Sequence, residues 1–456
     1  MLDLLKFILY MAVSFIIGIS SDSNLSDHMY DTLSWDWSGG LELEYIQSDI
    51  EFIDLSVMPD DIDESLEYLY DFTVVDSSAN YLAHPDSILL NDGGILQVYP
   101  QGHGLGSILT KISYDDGLTY TDEVQDTPES WEDSRETPTV YRLEFTQSDR
   151  DDILVLISAV PNWNDGVDYG GFNTSVSYDE GQTWTEFELF YETLGSSNLS
   201  AIVAMSSLTQ LKEDGEFVDK WLGTFHDSSF NNYSSILTID EDGKAQWSEP
   251  EKYLSDQWII QYTACICEVE IIRSDEGQGD ELCIITRSNN KYFPSLIAFS
   301  QDEGQTWSDF EALPSSLNGE RLKAEYLEDG RLVITYRSIV RDSQTAAAYG
   351  SSSDWYSQGL MMWVGTYEDL KEGNDGQYLV KLAHIYLDGT TEASQYSGAD
   401  TGYCGIVTLD GNEVVISSYG KVDTSLTYTD ENGDEFYKTI IFSKTLDIDD
   451  LDELVD

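Results

Sequence analysis

Six stretches of the chain each place polar or reactive side chains about 7–12 residues ahead of a turn, the length of one strand and its approach. They hold His84 and Asp86, Arg135 and Glu136, Met205 and Ser206, Glu268, Arg321 and Lys323, and Tyr403. A second set lies where the chain returns from those turns: His103, Asn162, His226 with Asp227, Arg287, Arg337 and Tyr419. The two sets are rich in arginine, although Lys and Arg total 22 against 86 Asp and Glu. A guanidinium fork binds a carboxylate at two points and stays charged, so Arg287, Arg321, Arg337 and Arg135 suit an anionic ligand. Glu136, His84 and Asp227 add hydrogen-bonding groups for the same ligand. His103, or Asp86 on the strand face it shares with His84, has the chemistry of a general acid. Polar groups of this kind converging in a concavity mark a site.

For these residues to meet, the elements carrying them must surround one axis, and the chain repeats in a way that achieves this. Ser113 to Tyr120 reads S-Y-D-D-G-L-T-Y, Ser177 to Trp184 reads S-Y-D-E-G-Q-T-W, and Ser300 to Trp307 reads S-Q-D-E-G-Q-T-W. A degenerate copy runs from Thr238 to Trp247, and the four starts are 64, 61 and 62 residues apart. In each copy Gly accepts a positive φ, Asp binds backbone N–H groups, and the aromatic begins a strand under the turn. A second series of hairpin turns interleaves: Asp92-Gly93, Ser148 to Asp151, Asp214-Gly215, Asp275 to Gly279, Asp329-Gly330 and Asp410-Gly411. Each separates two apolar runs. Six inner hairpins with outer hairpins carrying the repeats predict an all-β, six-bladed β-propeller of four-stranded antiparallel blades. The segment before Tyr81 is expected to supply an outer strand that closes the ring. No sustained helical period is present, and Tyr367 to Gly373 is at most a short turn of helix.

The string S-x-D-x-G-x-T-W is the Asp box, and the chain resembles sialidases and other Asp-box propellers over about residues 75 to 445. The resemblance implies that Tyr403, in D-T-G-Y-C-G, is a nucleophile, that Glu268 is the base taking its proton, and that Arg287 binds the substrate carboxylate. A neutral phenol made reactive by a base avoids the repulsion that a carboxylate nucleophile meets from a sugar acid. The sequence departs from the family in three places. His84, in A-H-P-D, stands where an arginine is expected; the loop Y-P-Q-G-H-G-L-G lacks the usual acid Asp; and no third arginine is evident around Ser357-Gln358-Gly359. The expected activity is that of a secreted exo-glycosidase acting on terminal, acidic sugars of a glycan with retention. The alternatives are a propeller that only binds glycan or protein, and a lyase using Tyr403 with His103 or His84.

The net charge of −64 repels nucleic acid and anionic membranes. No EF-hand loop or zinc spacing occurs, so neither metal nor cofactor is expected. Residues 1–20, apolar from Leu4 to Ser20 apart from Lys6, read as a signal peptide, with an uncleaved membrane anchor as the alternative. Residues 21–74 read as a segment packing on or closing the propeller, 75–445 as the propeller, and 446–456 as an acidic tail. Cys265, Cys267, Cys283 and Cys404 suit one or two disulfides or free buried thiols equally. Oligomeric state is not readable.

Overall fold

The inner hairpins turn where the sequence places them, at Asp and Gly in five blades and at the glycine-free Ser148 to Asp151 in blade two, and the repeats turn the outer segments of blades one to four. The structure is a computed structural model that describes residues 46–104, 106–121, 127–161, 170–342, 344, 355–384 and 401–455. The expected signal peptide, residues 21–45 of the expected 21–74 segment, and Asn162 lie outside the described residues. The architecture is a six-bladed β-propeller of mainly antiparallel sheets.

The innermost strands are Asp86–Leu89, Pro138–Leu143, Ala201–Glu213, Ile266–Arg273, Gly319–Tyr326 and Gly405–Thr408, in blades one to six. Their hairpin partners are Ile95–Pro100, Ile153–Ala159, Glu216–Asp227, Leu282–Ser288, Leu332–Ser338 and Glu413–Gly420. The ring closes in blade six, where Thr73–Asp76 from the N-terminal side pairs antiparallel with Ile440–Asp447 from the C-terminal side. The blades are less uniform than four strands each. Blade five takes a fifth strand, Glu51–Asp54, parallel to Tyr378–His384. Blade one has three strands and a single further bridge, Ile112 to Thr121.

Between blades the apolar strand faces pack in layers, such as Phe172, Phe225 and Trp247 between blades two and three. Phe442, Leu446 and Ile448 pack with Leu360 and Val380 between blades five and six. The expected acidic tail differs from the structure here. The last strand of blade six runs to Asp447, and Ile448–Asp452 form a short helix with Ile448 and Leu451 fully buried. These apolar residues, spaced three apart, hold the end of the chain against the core, while Asp452 accepts from Tyr378 (2.7 Å) and Arg331 (2.9 Å). A helix that the sequence analysis did not anticipate, Trp258–Ala264, precedes the inner strand of blade four. All four cysteines are buried free thiols.

Three outer turns share one hydrogen-bond pattern. Ser177 Oγ accepts from Gly181 N (2.8 Å) and donates to Asp179 Oδ1 (3.0 Å). Asp179 in turn accepts from Thr183 N (2.8 Å) and Thr183 Oγ1 (2.7 Å). Ser113-Asp115-Thr119 and Ser300-Asp302-Thr306 repeat the arrangement. The residue before the glycine is a further link. Glu180 holds Arg142 (2.7 Å) and Asn91 N of blade one, and Glu303 holds Arg273 (2.6 Å) and Lys212 N of blade three.

Candidate active site

Strand alternation alone would point neighbouring residues of an inner strand to opposite faces. Several inner strands break that alternation where they begin. The register shifts between Cys267 and Val269 in blade four and between Glu320 and Lys323 in blade five. Non-glycine residues take left-handed backbone at the same level: His84 (φ 53°), Val203 (φ 46°), Cys265 (φ 53°), Arg321 (φ 53°) and Tyr403 (φ 44°). Such residues are strained, and bulges of this kind re-aim side chains beside functional sites.

The re-aimed side chains meet. Tyr403 Oη donates to Glu268 Oε1 at 2.5 Å. Arg287 Nη1 lies 3.0 and 2.9 Å from the two oxygens of Glu268 and 3.5 Å from Tyr403 Oη. Burial alone would raise the Glu268 pKa, but Arg287, His226, the Tyr403 hydrogen bond and Arg321 bring it down to about 2. The Tyr403 hydroxyl is pushed well above its ordinary range by burial and by the charge of Glu268. The resting pair is therefore a carboxylate and a neutral phenol. His84 packs on Tyr403 with ring centres 4.1 Å apart, and the Arg321 guanidinium lies 5.9 Å from the ring centre.

Glu136 presents the opposite electrostatics. It is buried, and burial lifts its pKa to about 7 despite the hydrogen bonds from Thr137, with the Glu268 charge adding to the rise. Its Oε1 accepts from both Thr137 N and Thr137 Oγ1 at 2.9 Å. Thr137 Oγ1 also lies 2.8 Å from His84 Nδ1. A hydroxyl has one proton to give, so with Thr137 donating to Glu136, Nδ1 of His84 must be the donor. That leaves His84 Nε2 bare, and it is buried with no partner. Burial and the neighbouring His103 keep the imidazole neutral by holding its pKa well below the usual range. The glycine-rich loop lies directly on Glu136: a Cβ on Gly104, whose φ is +73°, would sit 3.1 Å from its Oε1.

Several side chains expected at the site have other places. Asp86 is ion-paired to Lys323 and accepts from Ser87 N and Val140 N, both at 3.0 Å. Both carboxylate oxygens are thus engaged by the ammonium and two backbone N–H groups, so the general-acid role expected for Asp86 is corrected to a structural one. Asp227 uses its carboxylate on its own loop, accepting from Ser229 N (2.8 Å), Asn231 N (3.0 Å) and Asn231 Nδ2 (2.7 Å), which corrects its expected role in binding. Arg321 is buried and donates to Ser206 O at 3.0 Å, so it acts through Tyr403 and Glu268 rather than as an open fork. His103 is exposed, 3.0 Å from Tyr81 Oη and edge-on to His84 at 4.6 Å. Arg135 is half-buried beside Glu136.

Arg287 and Arg337 are brought together, and the sequence analysis missed what joins them. Arg287 Nη2 (3.0 Å), Arg337 Nε (2.7 Å) and Lys291 Nζ all bind the buried carboxylate of Glu320. Glu320 is the cross-strand partner of Arg337, and its only sequence signal is its place directly before Arg321. The bulge after it hides its facing from any alternation rule. His226, buried with Nδ1 unpartnered, also faces Glu268, and burial brings its pKa to about 4. A cavity of about 430 Å³ further along the channel is lined by Glu270, Lys323, Glu325, Tyr141 and Arg273, and does not include the Glu268–Tyr403 pair.

Six blades around a channel lined with charged groups define a propeller with a polar centre. The family model described as "BNR repeat-like domain" matches residues 121–380, more than half of the chain, and the chain belongs to that family. No curated protein sequence matches it. Among solved structures it is similar to a protein of unknown function from Dyadobacter fermentans, at 16% identity over 82% of this chain and 97% of that one, with a TM-score of 0.52. It is also similar to the NanB sialidase from Streptococcus pneumoniae, at 13% identity over 83% and 71%, TM-score 0.50. The α-L-arabinofuranosidase Arb93A from Fusarium graminearum matches at 13% identity over 89% and 99%, TM-score 0.50. At these identities the likeness is one of fold.

Proposed function

We propose that the protein is a secreted, retaining glycoside hydrolase that removes a terminal sugar from a glycan. Tyr403 is the nucleophile, Glu268 its base and Glu136 the general acid. The observation that carries this reading is the 2.5 Å hydrogen bond from Tyr403 to Glu268 beside Arg287. Support comes from two structures of the same fold, which are named as a sialidase and an α-L-arabinofuranosidase. Secretion rests on the apolar run from Leu4 to Ser20.

In the first step the phenol oxygen bonds to the anomeric carbon as the glycosidic bond breaks. The phenol proton passes to Glu268, and the departing oxygen takes a proton from Glu136. Glu268 is a weak base at rest, so the proton moves only as positive charge develops at the sugar and the phenol acidifies. In the second step water attacks the glycosyl-tyrosine, gives its proton to Glu136, and the phenolate recovers its proton from Glu268. Arg287 stabilises the developing phenolate. The acidic sugar expected from the sequence would place its carboxylate among the arginines, where Glu320 already lies.

A panel of fluorogenic glycosides tests the reading. Turnover should fall about 1000-fold or more in Tyr403→Phe, and 10²–10⁴-fold in Glu268→Gln, with the fold intact. A 2-fluoroglycosyl fluoride should leave its mass on the peptide containing Tyr403. Glycan binding without turnover would make the chain a binding propeller, and an unsaturated product absorbing in the ultraviolet would make it a lyase.

A further inference from the structure

The most concentrated set of positive charge in the described site is Arg287, Arg337 and Lys291, and one protein carboxylate already lies at its centre. Glu320 Oε1 takes Arg287 Nη2 and Lys291 Nζ, while Oε2 takes both Nε and Nη2 of Arg337. The Glu320 side chain is 6% exposed, against 15% for Arg287 and 17% for Arg337, so the acid lies beneath the bases rather than outside them. Of the remaining fork atoms both Nη1 are engaged, while Arg287 Nε is buried with no hydrogen-bond partner among the described residues. Arg287 Nη1 serves Glu268, and Arg337 Nη1 donates to Thr401 O at 3.1 Å.

We infer that Glu320 determines the substrate class: the sugar held beside Tyr403 is uncharged, and Glu320 stands where a substrate carboxylate would otherwise bind. The inference rests on the glycoside hydrolase reading for its reaction, but not for its binding preference. A sugar carboxylate reaching Arg287 and Arg337 must either displace Glu320 or sit beside it. Displacement leaves a buried carboxylate without its cations, which costs several kcal/mol. Sitting beside it sets two like charges a few ångströms apart, next to a third carboxylate at Glu268. A neutral sugar meets neither penalty. Its hydroxyls can donate to Glu320 and Glu136 and accept from Arg287, whereas a carboxylate can only accept. The same charge balance explains how the cluster can exist without a ligand: Arg287 and Arg337 repel one another and, with burial, hold Lys291 well below its ordinary pKa, and Glu320 offsets that repulsion.

The test compares matched ligands that differ only in the carboxylate. A glucoside is compared with its glucuronide, and a sialic acid glycal with its methyl ester, by calorimetry and by turnover of the wild type and Glu320→Gln. The wild type should bind the neutral member of each pair at least 10-fold more tightly. Glu320→Gln should narrow or invert that ratio by 10-fold or more. Tighter wild-type binding of the acids, or no change in the ratio in the variant, overturns the inference and leaves the hydrolase reading standing. Discrimination against acids with no turnover of any glycoside supports the inference and defeats the hydrolase reading. Should Glu320→Gln not fold, Glu320→Asp retains the charge and shortens its reach; it should relax the preference in part, and an unchanged ratio there counts against the inference.

Discussion

Glu136 and Glu268 are two carboxyls in one site whose surroundings drive their proton affinities apart, to about 7 and about 2. Arg287 and the Tyr403 hydroxyl keep one charged, while burial keeps the other protonated near neutrality. A general acid must carry its proton, so kcat/KM should fall as pH rises through about 7, following Glu136. In Glu136→Gln that limb should disappear, and substrates with poor leaving groups should lose about 10²–10⁴-fold while activated aryl glycosides lose less. A pH–rate profile on both substrate types checks this. The same residue affects stability. Its folded pKa lies above its ordinary value, so its contribution is intact in acid and is lost as pH rises through about 7. Glu136→Gln should therefore be more stable than the wild type above that pH, by an amount on the order of 2 kcal/mol, and indistinguishable from it near pH 4. Denaturation midpoints at the two pH values measure the difference.

At the scale of the element, the outer turns tie the third strand of a blade to its outermost segment, and their carboxylates satisfy the backbone rather than any ligand. Asp302→Ala removes the acceptor for Thr306 N and Thr306 Oγ1. It should cost about 1–2 kcal/mol by urea denaturation and leave kcat within about twofold, since the turn lies outside the site. The closing strand Thr73–Asp76 is held more firmly. Val75 is buried among Leu82, Tyr99 and Ile441, and Lys444 Nζ binds Leu69 O (3.0 Å) and Asp71 O (2.9 Å) just before the strand. Val75→Asp would bury an unpaired charge between blades one and six. A loss of about 3 kcal/mol or more is expected, read as a lower melting temperature or loss of soluble protein.

For the whole molecule, a net charge of −64 makes self-repulsion a standing term in stability. Three carboxyls, the buried Glu136 and Glu270 and the half-buried Glu325, act in the same direction: Glu136 and Glu325 at about 7, and Glu270 at about 8, each raised chiefly by loss of solvent. All three bind protons more tightly folded than unfolded, so their contribution is present in acid and lost as pH rises to about 8. Lys444, lowered by burial to about 8, works the other way between that pH and its ordinary value, as do His84 and His226 below their ordinary value and Lys291, all lowered chiefly by burial. The melting temperature should therefore fall from about pH 6.5 to about pH 8 and rise with added salt at about pH 8. A flat response to both would show that the carboxylates do not govern stability.

The ring was legible in the sequence because its signals are local. Asp-Gly turns, period-two apolar runs and three Ser-x-Asp-x-Gly-x-Thr strings each specify a hairpin from residues a few positions apart, and a hairpin repeated about every sixty residues has few ways to pack. Glu268, Arg287 and Tyr403 were legible for the same reason, since each occupies a fixed position relative to a turn. Glu320, Lys291 and the displacement of Asp86 and Asp227 were not. The facing of Glu320 depends on a bulge and on a left-handed residue at Arg321, and the others on partners from a loop or another blade, none of which leaves a mark in residue type. The C-terminal residues read as a tail because their acids dominate the composition, whereas Ile448 and Leu451 find a groove that only neighbouring blades create. Local sequence thus determines which strands form and in what order. Which carboxylate meets which cation at the axis is decided by tertiary packing, because those partners come from different blades and a one-residue shift in register exchanges them.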